Sequence, residues 1–168
     1  MQQTKFYYSI NGEISAGEQA ESLLQDRGMN YGHGLFESMA LHSAQVPLLQ
    51  QHLQRLYQDA PKLGISLEAG SVEACLERFI AALLNGGLET AVIKIVVTAG
   101  TGGRGYQSPV PVKPRIICLC VPMPEDIKTQ QSEGVRLWRC DYRLPINPAL
   151  AGIKHLNRLD QVLARNEW

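Results

Sequence analysis

Two neighbouring stretches, residues 49–60 and 71–83, carry apolar residues at three- and four-residue spacing, and this pattern constrains the fold more than any other. Leu49, Leu53, Leu56, Tyr57 and Ala60 make one apolar stripe, and Val72, Cys75, Leu76, Phe79, Ile80 and Leu83 make the other. A helix with a single apolar stripe must lay it against a second layer. The flanking sequence offers strands for that layer. Residues 5–10 are aromatic and β-branched and run into Asn11-Gly12, a type I′ hairpin signal, so a return strand is expected near Glu13. Residues 35–42, 91–99 and 115–121 read as strands, with a short return at 46–48, and 135–142 alternates as a further one. The segment 26–34 holds three glycines without periodicity and reads as a loop. Pro61 and Gly64 end the first helix; Ser71 reads as N-cap of the second, which Asn85-Gly86-Gly87 stops. A last helix is expected from His155, with Leu156, Leu159, Val162 and Leu163 on one side. The expected class is α/β, of α+β character. A small domain of a sheet and two helices covers 1–121, and the start of a second domain covers 122–168, divided at Pro122-Met123-Pro124.

Charge and cysteine usage narrow the function classes. Sixteen Lys plus Arg balance sixteen Asp plus Glu, which removes the long-range field that nucleic acid or an anionic membrane would need. No apolar run approaches a bilayer span, and the polar start does not read as a signal peptide, so a cytoplasmic, small-molecule protein is expected. Cys75, Cys118, Cys120 and Cys140 lack metal or redox spacing and read as reduced, mostly buried thiols, with no metal site.

Three motifs admit a bland and a chemical reading. Gly100-Thr101-Gly102-Gly103-Arg104-Gly105 has dinucleotide spacing, but Pro109, Pro111 and Pro114 forbid the helix such a site opens. It is either a plain connecting loop or one that turns Arg104 and backbone N–H groups toward an anion. His52 and Arg55, three apart on a helix, form a solvated face or a surface ion pair, and a phosphate-binding role would require Arg55 to point inward. Lys154, flanked by apolar residues, is either a lysine with a packed stem and a wet ammonium or a desolvated amine fit for Schiff-base chemistry.

Asp26-Arg27-Gly28, Tyr31-Gly32, Phe36-Glu37 and His52-Leu53-Gln54-Arg55-Leu56 together resemble the fold-type IV pyridoxal-phosphate enzymes, which include branched-chain and D-amino-acid aminotransferases. Gly102-Gly103-Arg104-Gly105-Tyr106, Asn147-Pro148 and the stretch from Ala151-Gly152-Ile153-Lys154-His155 to Leu163 are similar to the aminodeoxychorismate lyase branch. The resemblance implies pyridoxal 5'-phosphate as cofactor, with Lys154 as Schiff-base lysine, Arg55 on the phosphate and Asn157 orienting cofactor or lysine. It implies Arg104 on a substrate carboxylate, Tyr31 and Phe36 lining the pocket, and a homodimer whose partner can supply the tyrosine loop. The implied reaction is conversion of 4-amino-4-deoxychorismate to p-aminobenzoate and pyruvate in folate synthesis. A class IV transaminase, or a non-catalytic dimerising fragment, stays open beside it. His33 stands where that branch more often has Asp. The family also continues past the position of Trp168, so an incomplete cofactor domain and an exposed stripe on the last helix are expected.

Overall fold

The computed structural model describes residues 8–15 and 23–168, so residues 5–7 of the strand predicted over 5–10 lie outside the described residues. Strand β1 (Tyr8–Ile10) turns through Asn11 (φ 52°) and Gly12 (φ 82°) into β2 (Glu13–Ser15), the turn geometry that an Asn-Gly pair favours. Helix α1 (Arg27–Tyr31) is followed by β3 (Gly34–Leu41), α2 (Leu49–Asp59), a 3₁₀ turn at Ala60–Leu63 and α3 (Ser71–Asn85). Strands β4 (Ala91–Thr98) and β5 (Arg115–Val121) complete an antiparallel sheet in the order β2-β1-β5-β4-β3. Two short helices follow, α4 (Ile127–Glu133) and α5 (Leu159–Arg165).

One sheet face and two helices make the core. Leu35, Met39 and Leu41 of β3 and Ile93, Ile95 and Val97 of β4 point to that face and are fully buried. They meet Leu53 and Leu56 of α2 and Val72, Leu76, Phe79 and Leu83 of α3 in one continuous cluster. Each such side chain contributes about 1.5–3 kcal/mol on burial, so both predicted stripes are what hold helices to sheet. The opposite face, with Phe36, Lys94, Val96, Ile117 and Leu119, is only half covered. The pairings Phe36↔Val96 and Ser38↔Lys94 place Phe36 and Lys94 together on it.

Several local expectations are corrected. Residues 26–34 are not a plain loop: Asp26 Oδ1 accepts the Gly28 N–H at 2.7 Å and caps α1, a helix too short to show periodicity. Ser71 is the first helical residue of α3, not its cap, and its hydroxyl donates to the Glu68 carbonyl. Residues 46–48 form no strand, because pairing stops at the His42↔Gln45 bridge. Residues 135–142 alternate but pair with no strand among the described residues; Cys140, Asp141 and Tyr142 hydrogen-bond to residues 160–167 instead, and Leu137 and Trp138 stand exposed. Alternation cannot make a strand without an edge to dock on. The last helix begins at Leu159 rather than at His155, and Leu159, Val162 and Leu163 are exposed as expected. Helix α4 was not anticipated; none of its residues is buried. Cys75, Cys118 and Cys120 are buried and unpaired, and burial pushes the Cys118 thiol up to about 11. No helix among the described residues is long and apolar enough to cross a membrane.

Candidate functional site

The site is organised by β3, which lies at the end of the sheet. The chain returns to its free edge more than a hundred residues later. Phe36 N–H donates to the Lys154 carbonyl at 3.0 Å, Leu156 N–H donates to the Gly34 carbonyl at 2.9 Å, and Leu35 bridges His155. This extended rung, anchored by buried Ile153, fixes where Lys154 emerges. Its Nζ stands 4.5 Å from the centroid of the Phe36 ring, and the residue is half-buried. Lys94 Nζ lies 4.7 Å and the Arg158 guanidinium 5.3 Å from the same centroid. A cleft of about 490 Å³ opens here, lined by Phe36, Lys154, Arg158, Gln161 and Arg165 among others.

The next residue along β3 points to the helix-covered face. Glu37 is 2% exposed, and its carboxylate accepts Arg55 Nε and Nη2 at 2.6 Å each and pairs with His52 Nδ1 at 2.8 Å. His52 and Arg55 thus both pair with a buried acid, while the Arg55 side chain stays 48% exposed, so this helix face carries an ion pair at the protein surface. Burial by itself would raise the Glu37 pKa, but the hydrogen bonds and charge of Arg55 and His52 outweigh it and hold the carboxyl below its ordinary 4.5. A depressed native value means that the stabilisation is complete above about pH 4.5 and fades as pH falls through the lowered native value. Thermal melts from about pH 7 to about pH 3 are thus expected to fall more steeply for the parent than for Glu37→Gln; parallel curves would remove this role from Glu37.

A second constellation hangs on Arg27, which is 3% exposed. Its Nη1 donates to the carbonyls of Gly102, Gly105 and Gln107 at 3.1–3.2 Å and its Nη2 to that of Tyr106 at 2.9 Å. Its Nε donates to His33 Nδ1 at 3.2 Å, and His33 Nε2 meets the Leu63 carbonyl at 2.8 Å, contacts that suit the tautomer protonated on Nε2. Gly103 (φ 78°) packs so tightly in this loop that a Cβ would lie 2.0 Å from the Gln107 carbonyl oxygen. Residues 100–105 thus form a clamped loop with no following helix, and Arg104 stands exposed on it. Tyr106 packs edge-on against Tyr31, ring centroids 5.4 Å apart, and Arg27 lies 4.9 Å from the Tyr31 centroid. Tyr31, Tyr106, His33, His155 and Asn157 line a separate cleft of about 300 Å³. His155 has its pKa lowered first by burial and then by Arg158, while Asp160 opposes them; its Nδ1 accepts the Asn157 N–H at 3.2 Å.

The six expected site residues thus fall into groups. Lys154 and Phe36 share the first cleft, and Arg55 is fastened to Glu37, the residue next to Phe36. Tyr31 and Asn157 line the second cleft, where Asn157 Oδ1 crowds Gly32 so closely that a Cβ there would lie 2.0 Å from it. Arg104 sits on the loop that Arg27 clamps. Sequence reasoning missed Glu37, Arg27, Lys94 and Arg158. For Glu37 a signal existed: it alternates with Leu35, Met39 and Leu41, and an acid on an apolar strand face demands partners.

Known proteins are similar to this chain in sequence and fold over most of its length. The family model for amino-transferase class IV matches residues 34–168. An aminodeoxychorismate lyase of Vibrio harveyi is 35% identical over 145 residues, 86% of this chain and 52% of its own length. A D-alanine aminotransferase of Staphylococcus aureus is 29% identical over 164 residues, 93% of this chain and 54% of its own. The crystal structure of 4-amino-4-deoxychorismate lyase from Pseudomonas aeruginosa superposes with a TM-score of 0.80 at 39% identity, over 96% of this chain and 56% of that one. The chain spans about half the length of the curated relatives it matches.

Proposed function

We propose that this chain, which belongs to the amino-transferase class IV family, contributes the lysine-bearing half of a pyridoxal-phosphate site that converts 4-amino-4-deoxychorismate to p-aminobenzoate and pyruvate. The observation that carries the reading is that the β3 edge seats Lys154, through its carbonyl and the buried Ile153, with its amine in the Phe36 cleft. A half-buried amine suits condensation with an aldehyde, and Arg55, fastened to Glu37 on the helix-covered face, offers a guanidinium for a phosphate. The residues present fit the group. The Lys154 amine is half-buried in a cleft whose lining holds no acid, and Arg55, 48% exposed, keeps N–H groups that Glu37 does not use. Bound there, the cofactor ring would act as an electron sink for the substrate carbon that carries the amino group.

In this reading Lys154 Nζ holds the cofactor and, once released, takes the proton from that carbon. The Phe36 ring keeps water from the amine, Arg104 holds a substrate carboxylate, and Tyr31 and Asn157 line the approach. The match to two lyases and the Arg104 loop support lyase over transaminase chemistry. The reading includes a homodimer in the cytoplasm, with residues 1–121 as the smaller domain and 122–168 opening the cofactor-binding one. Exposed Leu159, Val162, Leu137 and Trp138 support that division, since apolar side chains of this number ask for cover.

The test is to titrate the protein with pyridoxal phosphate and follow two products. Pyruvate appearing in step with p-aminobenzoate is the expected result. Amino transfer to a keto acid without pyruvate would reassign the site to a transaminase, and no cofactor binding would leave a non-catalytic fragment.

A further inference from the structure

One acceptor in the Arg27 cluster differs in kind from the rest. A guanidinium carries five N–H donors, and Arg27 directs them to four carbonyls of residues 102–107 and to the ring of His33. Carbonyls keep their lone pairs through the whole neutral range. An imidazole does not, because a proton on Nδ1 removes the acceptor and adds a charge. The backbone of His33 is pinned on both sides, its N–H on the Arg27 carbonyl at 3.2 Å and its carbonyl on the Ala99 N–H at 3.0 Å. Its Nε2 meets the Leu63 carbonyl at 2.8 Å, a bond that needs a proton there and leaves Nδ1 as the bare nitrogen facing Arg27.

Nothing around the ring offsets a second charge. Arg27 faces it from α1, His155 from the segment after Lys154, and Tyr31 and Tyr106 line the same cleft, which holds no carboxylate. The acids on neighbouring elements are occupied. Asp26 binds the Gly28 N–H, Thr98 and Arg115, and Asp59, just before the 3₁₀ turn that carries Leu63, binds Lys62. His155 titrates below the ordinary histidine range, first because it is buried and then because Arg158 is near.

We infer that His33 is a positioning residue and a proton switch for the loop over residues 102–107. Its neutral ring holds the Arg27 fork in place. Proton uptake at Nδ1 sets two N–H donors and two positive charges face to face, 3.2 Å apart, and releases the loop that carries Arg104. Only the neutral ring fits the clamped loop, so the loop is held at neutral pH and loosens as pH falls. The switch acts on substrate through the loop and not by contact. That consequence rests on the lyase reading, in which Arg104 holds a substrate carboxylate; the switch itself does not.

The test follows the His33 ring by nitrogen NMR of histidine-labelled protein, and amide exchange at residues 102–107 corrected for the intrinsic rate, from about pH 8 to about pH 5. The ring is expected to carry its proton on Nε2 at the upper end and on both nitrogens at the lower. Exchange in the loop should rise about tenfold in step with it, the scale of one charge-assisted contact, while β4 and β5 stay protected. His33→Asn, which offers Oδ1 in place of Nδ1 and takes no proton, should hold the loop throughout and remove the pH response. Over the same range KM for 4-amino-4-deoxychorismate should rise about tenfold in the parent, with kcat changing less, and stay level in His33→Asn. A ring that remains neutral to about pH 5, or one that titrates while exchange at 102–107 stays flat, would overturn the switch whatever the variant does. A loop that responds while KM does not would keep the switch and take Arg104 off the substrate. A responding loop in a protein that releases no pyruvate would keep the switch and sink the lyase reading.

Discussion

Lys154→Ala is expected to carry no covalently fixed cofactor after incubation with pyridoxal phosphate and borohydride, whereas the parent is labelled on the peptide that contains residue 154. Turnover should fall at least about a thousandfold, because the substitution removes both the attachment point and the group that moves the proton. The fold should survive. The rung that seats this segment is made by the backbone of Lys154 and Leu156 and by the buried side chain of Ile153, none of which the substitution alters. Lost labelling with unchanged circular dichroism is therefore a chemical effect and not an unfolding one. Labelling of the variant at the parent's level, or undiminished pyruvate release, would defeat the assignment of Lys154.

Arg27→Met should have the larger structural effect. One guanidinium satisfies four carbonyls of residues 102–107 and the His33 ring, so its removal leaves several polar groups without a partner at once. A cost of roughly 2–4 kcal/mol is expected, below the sum of separate bonds because the exposed side of the loop can turn its carbonyls to water. Amide exchange at residues 102–107 should rise about tenfold to a hundredfold, while β4 and β5, held by their own ladder, change little. Arg27→Lys should not rescue it, since an ammonium with three donors cannot span four carbonyls as a planar fork does. Unaltered exchange at 102–107 in Arg27→Met would show that the loop holds its own shape. If Arg104 binds substrate, the loosened loop also weakens substrate binding more than cofactor binding.

How much was readable depended on whether the information was local. The stripes of α2 and α3, the Asn11-Gly12 turn and strands β4 and β5 stand where spacing puts them, because each is decided by neighbours within a turn or a strand length. Residues 135–142 alternate like those strands and pair with none, since a strand exists only where an edge is free to receive it. The β3 edge was taken by 154–156, a pairing that no local pattern announces.

The same division runs through the site. From the residues alone Arg55 was a helix-surface cation and Lys154 an ambiguous lysine, and resemblance to a family lent them roles that spacing did not. Composition and periodicity by themselves determined that this chain builds a sheet and two amphipathic helices, because burial of apolar area follows the order of residues along the chain. Only the tertiary structure decided that Glu37 pairs with Arg55 and His52, that Arg27 shapes the Arg104 loop, and that three cations meet on Phe36. Those contacts join side chains from separate elements, and a charge acquires its partner only when the fold has brought the two within reach.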